Sequence, residues 1–131
     1  MKSLKEVSLV ILLLSIITGC SIQKPLQQSN SKIEQLGEMR GLQITEINPT
    51  KNNHLLVIQA TVTNLRSYNQ ELYYHFVWLD SKGFKVDNQK TWKHELLYAY
   101  QNKQITGVAP SPGAVDFKIV VQSPNNTGLL P

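Results

Sequence analysis

The chain has 131 residues, enough for one domain of ordinary size and too few for two cores that stand unaided. A hydrophobic share of 41% can supply a core, and the 17% charged share is low, so a globally disordered chain is excluded. The formal net charge of +4 shrinks once Lys2, Lys5 and Glu6 are set aside with the leader: eleven basic and eight acidic side chains remain, with no basic run and only Arg40 and Arg66 as arginines, so nucleic acid is not an expected partner.

Lys2 and Lys5 make a positive start, and Val7 to Ile17 follows as an apolar run broken only by two serines, the order of a signal peptide. The run is too short to cross a bilayer, which takes about 20 apolar residues in a helix. Ile17-Thr18-Gly19-Cys20 resembles the lipobox of bacterial lipoproteins, with Ile17 where leucine is usual. The resemblance implies a signal peptide over 1–19 cut before Cys20, a diacylglycerol on the Cys20 sulfur, and a further acyl chain such as palmitate on the new amine. Each buried methylene contributes about 0.8 kcal/mol, so two or three chains hold the protein on a membrane where one would bind reversibly. Ser21 stands where aspartate favours retention at the inner membrane, so the implied address is the outer membrane, with the domain facing the periplasm. Cys20 is the sole cysteine, which excludes an intrachain disulfide, and its lipidation removes it from thiolate chemistry.

Residues 20–40 are rich in Gln, Ser, Asn and Lys, with Leu26, Ile33, Leu36 and Met39 too sparse to define a stripe, and are predicted to be a lipidated flexible tether. Ser31 and Glu34 have capping-box spacing, which allows a helical turn or two over Ser31–Met39. From Gly41 the pattern changes to short β-branched and aromatic segments separated by turn formers, the rhythm of an all-β sandwich over 41–122. Leu42 to Ile47 is the first predicted strand, with Asn48-Pro49 and Lys51-Asn52-Asn53 ending it. Leu55 to Asn64 alternates most clearly, with Leu56, Ile58, Ala60 and Val62 on one face. In Leu72 to Asp80, Leu72, Tyr74, Phe76 and Trp78 oppose Tyr73, His75, Val77 and Leu79, so both faces are substantially apolar. Asp80-Ser81-Lys82-Gly83 is a tight-turn sequence that predicts a hairpin returning through Phe84–Val86. Trp92–Tyr98, Gln104–Val108 and Val115–Gln122 complete about seven strands, with Pro110 and Pro112 between the last two and a loose tail over 123–131.

Tyr74-x-Phe76-x-Trp78-x-Asp80, then Gly83, Trp92, and Val108-Ala109-Pro110-Ser111-Pro112-x-Ala114-x-x-Phe117-Lys118 resemble the YcfL-like family of Gram-negative periplasmic lipoproteins over most of 41–122. The resemblance implies an immunoglobulin-like antiparallel β-sandwich and an envelope location. It implies no activity, because that family is functionally uncharacterised, and it carries no catalytic motif onto this chain.

The residues point the same way. His54, His75 and His94 have no ligand spacing such as His-Glu-x-x-His, and the adjacent His94 and Glu95 point to opposite faces of a strand; no metal site is expected. No Gly-x-Ser-x-Gly elbow occurs, and Asp80, Asp87 and Asp116 sit beside turns, where they cap backbone. Neither enzyme activity nor a cofactor is expected. Phe76 and Trp78 belong in the core of a sandwich this size, whereas Tyr73, Trp92, Tyr98 and Tyr100 are the candidate surface for a ligand or partner. The expectation is a membrane-anchored, non-catalytic β-sandwich that binds another envelope protein; the alternative is a module for cell-wall glycan or a small ligand.

Overall fold

A computed structural model describes residues 30–88 and 90–124 of the chain. The signal peptide expected over 1–19, the expected lipidation and sorting residues Cys20 and Ser21, and the tail segment 125–131 lie outside the described residues. After a short 3-10 turn at Asn30–Lys32, seven strands follow: β1 (Ile33–Leu36), β2 (Leu42–Asn52), β3 (Leu55–Asn64), β4 (Gln70–Leu79), β5 (Lys93–Leu97), β6 (Asn102–Val108) and β7 (Asp116–Gln122). They form a four-stranded sheet, β1-β7-β4-β5, and a three-stranded sheet, β2-β3-β6. This is the four-plus-three division of an immunoglobulin-like β-sandwich.

Period-two alternation builds the core. In β3 Leu56, Ile58, Ala60 and Val62 are buried, and from the facing sheet come Leu72, Tyr74 and Trp78 of β4 with Phe117, Ile119 and Val121 of β7. Gly107 of β6 lies opposite Ile58, and a Cβ there would meet the Phe76 ring at 2.5 Å. That close approach admits Phe76 between the sheets, where its ring stacks on Trp78 with centroids 5.5 Å apart. Lys103 and Glu95 pair across the flank between β6 and β5.

The sandwich is not wholly antiparallel as predicted: β1 runs parallel to β7, from Ile33 opposite Ile119 to Leu36 opposite Gln122. This strand falls inside the 20–40 segment assigned to the tether, and the helical turn or two that the Ser31–Glu34 spacing allowed is limited to the 3-10 turn before it. A four-residue edge strand with only its two ends apolar has no periodicity for a sequence to display; its partner strand supplies the hydrogen bonds that define it.

β2 also differs. It continues through Asn48-Pro49 to Asn52, and the chain reverses at Asn53-His54, both at positive φ (48° and 67°). Two central residues with φ above zero suit the twist of a tight hairpin. Pro49 is tolerated because β2 is an edge strand, where a missing N–H breaks no inner ladder. A bulge between Ile44 and Glu46 shifts the phase, so Ile44 and Ile47 both pack on the core although simple alternation sets them on opposite faces.

The predicted Phe84–Val86 strand is a single bridge, Leu79 to Lys85, with Val86 N–H donating to Trp78 O. Its turn is set by the Asp80 carboxylate, which accepts from the amides of Lys82 (2.8 Å) and Phe84 (2.9 Å), the capping role its position predicted. Ser123, assigned to the loose tail, is buried, and its hydroxyl donates to Glu71 O at 2.5 Å.

Candidate functional site

Strand register gives the sandwich two distinct ends. Lys32 enters the domain at one, beside the start of β7, the Asn53-His54 turn and the long β4–β5 connection. At the other lie the short loops 37–41, 65–69 and 98–101. The four candidate aromatics divide between two places: Tyr98 and Tyr100 stand on the loops far from Lys32, while Tyr73 and Trp92 lie on the outer face of the four-stranded sheet.

The loop end is held by one buried side chain. Asn64, at the end of β3, donates through Nδ2 to Tyr68 O (2.8 Å), Tyr98 O (2.9 Å) and Leu97 O (3.4 Å). Its Oδ1 accepts from the Arg66 amide (3.0 Å) and from Gln70 Nε2 (2.7 Å). The amide of Tyr100 donates to Arg66 O and that of Ala99 to Asn69 Oδ1, which cross-links the 65–69 and 98–101 loops, while Tyr98 N–H donates to Gln101 Oε1 within its own loop. On this frame Leu65, Tyr68, Tyr98 and Tyr100 are 50 to 69% exposed. Tyr100 is held at φ 57°, a left-handed conformation that is rare for an aromatic residue. The third loop adds Arg40, paired with Glu38 at 3.2 Å, and its carbonyl accepts from Arg66 Nε.

On the outer face of the four-stranded sheet, Tyr73 packs on the His94 ring with centroids 4.7 Å apart, and Trp92 meets the His75 ring edge-on at 4.4 Å. Trp92 and His75 line a groove of about 540 Å³ that runs from β1 across β7 and β4 to the β4–β5 connection. Its apolar lining is Leu36, Val77, Leu79 and Val120, and its charged lining is Lys85, Lys90, Lys118 and Glu34. His75 is buried, and its Nδ1 has no hydrogen-bond partner among the described residues. Burial pushes the His75 pKa down; the Phe76 backbone opposes this, Lys90 and Lys85 add to it, and Glu34 opposes it.

The remaining acids have structural partners. Asp116 bonds Lys32 Nζ at 2.5 Å and its own neighbour's amide, Phe117, at 2.8 Å. Burial works to raise its pKa, but the Lys32 ammonium and the Phe117 amide outweigh it and hold the carboxyl below its ordinary value. His94 lies 3.8 Å from Glu71, a pair on the surface of the sheet. No group of three His, Cys, Asp or Glu gathers at metal-binding range among the described residues.

Two features escaped the sequence. Leu65 and Tyr68 gave a readable signal, an apolar and an aromatic residue inside a turn between two strands. Asn64 gave none, since an asparagine closing a strand looks like any turn former until the loops around it are in place. The apolar outer face of β4, by contrast, was visible as a strand apolar on both sides.

The solved structures similar to this chain share its fold. The crystal structure of cj0090 from Campylobacter jejuni aligns with a TM-score of 0.58 at 14% identity, covering 70% of this chain and 97% of that one. A DUF1425 family member from Shewanella sp. pv-4 aligns with a TM-score of 0.55 at 22% identity, covering 66% of this chain and 92% of its own. No curated protein matches. Residues 29–123 match the family described as "Protein of unknown function (DUF1425)", and the YcfL-like family resembled by Tyr74-x-Phe76-x-Trp78 is of this type. The chain belongs to the DUF1425 family.

Proposed function

We propose that the protein is a lipid-anchored, non-catalytic recognition module of the bacterial envelope, held on the outer membrane through Cys20 and binding another envelope protein through the loop end that carries Tyr68, Tyr98 and Tyr100. The observation that carries this reading is the set of exposed tyrosines on loops stapled by Asn64, at the end opposite Lys32. Tyrosine supplies large contact area with little side-chain entropy to lose, and a frame already rigid lowers the cost of ordering on binding. A tether entering at the other end leaves these loops directed away from the anchoring leaflet.

The test is site-specific photocrosslinking in living cells, with a benzophenone amino acid at Tyr98 and, as control, at Asn53 on the tether end. A discrete adduct from position 98 that Tyr100→Ser abolishes is the expected result. Equal adducts from both positions, or none from either, defeat the protein-binding reading. Anchoring is tested separately: Cys20→Ala should move the protein from the membrane fraction to the soluble fraction and end labelling by palmitate.

A further inference from the structure

In a sandwich the outward face of each sheet meets water, and its residues are normally polar. The four-stranded sheet departs from this at one place. Outward positions of three neighbouring strands carry Leu36, Val120, Val77 and Leu79, and together they floor the groove beside Trp92. Trp92 is 38% exposed. A volume of about 540 Å³ lies within the range of small-molecule sites, roughly 300–1,000 Å³.

The lining carries an unbalanced charge: Lys85, Lys90 and Lys118 stand against Glu34 in the groove, with Asp87 beside Lys85 and Lys90 in an adjoining pocket. Among the described residues none of these lysines forms an ion pair. Three ammonium groups beside an apolar floor favour an anionic head that carries an apolar body; a bare anion leaves the floor wet, and a neutral hydrocarbon leaves the lysines unmatched. His75, 94% buried with Nδ1 unpartnered, adds a polar group in the same lining whose hydrogen bond is unmet.

We propose that this groove is a binding site for a small amphipathic anion: a phosphate or carboxylate head among Lys85, Lys90 and Lys118, and an apolar body lying on Val77, Leu79 and Val120 against the Trp92 indole. The site is separate from the loop end, so it stands or falls independently of the protein-binding reading.

The experiment follows the Trp92 indole N–H by NMR, one of only two indole signals the chain can give, the other being that of buried Trp78. The mature chain from residue 20, carrying Cys20→Ala so that no acyl chain is attached, is titrated below micelle formation with decyl phosphate, decanoate, decanol, decyltrimethylammonium and inorganic phosphate. Saturable shifts with decyl phosphate or decanoate, and weak or no shifts with the other three, are the expected result. The stronger of the two distinguishes a phospholipid-type head from a fatty-acid carboxylate. The triple variant K85S/K90S/K118S, confirmed folded by its Trp78 signal, should bind about tenfold more weakly, since three exposed ionic contacts each contribute modestly. Decanol or the cationic amphiphile binding as tightly as the anions overturns the proposal, as does saturation by inorganic phosphate alone or no saturable shift at all.

Discussion

The loop end and the sheet groove are both candidate recognition surfaces, and the fold builds them by opposite means. At the loop end a buried polar hub, Asn64, organises connections that have no repeating pattern, and aromatic side chains are displayed on top. In the groove no hub is needed, because the pleat of β4 and β7 sets Val77, Leu79 and Val120 side by side and only the β4–β5 connection must bring Lys85, Lys90 and Trp92 to the rim. A surface made from loops therefore depends on a few buried hydrogen bonds, whereas one made from a sheet inherits the stability of the core.

Breaking the hub should give the largest effect. Asn64→Ala removes five hydrogen bonds from buried or part-buried groups, and we expect a loss of about 3 kcal/mol in urea unfolding, together with loss of the position-98 crosslink. The groove should still shift Trp92 on titration under native conditions; if the crosslink survives unchanged, the hub does not organise the loops. Next comes Gly107→Ala, whose Cβ would collide with Phe76 behind β4. Overpacking of this kind costs about 1–3 kcal/mol, read in the same unfolding curve. Here the groove's ligand response should weaken while the loop-end crosslink persists, the reverse of Asn64→Ala.

A smaller effect separates stability from recognition at the loop end. Tyr100→Gly relieves the left-handed strain, and against the added freedom of glycine in the unfolded chain the net gain should be about 0.5 kcal/mol, measured as a raised unfolding midpoint, with the crosslink lost. An unfolding midpoint lower than that of the parent would show that Tyr100 contributes packing and not strain.

The finest comparison is by pH. His75 has a folded pKa below its ordinary value of 6.5, so the unfolded chain takes up the proton first. Its contribution to stability is complete above about pH 6.5 and declines as pH falls from there toward the folded pKa. Asp116, also depressed, contributes stability that is complete above its ordinary 3.8 and declines below it. Thermal melts should show the first decline vanish in His75→Phe and the second in Asp116→Asn; an unchanged slope between pH 7 and 5 in His75→Phe would remove His75 from the account.

Some of this was readable in the residues and some was not. The inward stripe Leu56, Ile58, Ala60 and Val62, the core position of Trp78, the capping role of Asp80 and the doubly apolar β4 all follow from period-two alternation or from local turn chemistry. β1 does not, because it depends on a partner strand distant in sequence, and neither does the extension of β2 past Pro49, where pairing with the adjacent β3 overrides the turn formers that were expected to end the strand. Tyr73, Trp92, Tyr98 and Tyr100 were each candidates for the surface, yet nothing in their spacing says that they belong to two separate places.

The sequence by itself determined an all-β sandwich, since alternation of apolar and polar side chains is a local property that any antiparallel pairing must respect, and its motif around Tyr74, Phe76, Trp78 and Asp80 carried the resemblance to the family. Tertiary structure alone decided the parallel seam between β1 and β7, the bulge that turns Ile47 inward, the burial of His75 and the gathering of three lysines over an apolar floor. The physical reason is that each of these is a contact between residues far apart in the chain, and register, which sets such contacts, is chosen by the packing of the whole sandwich.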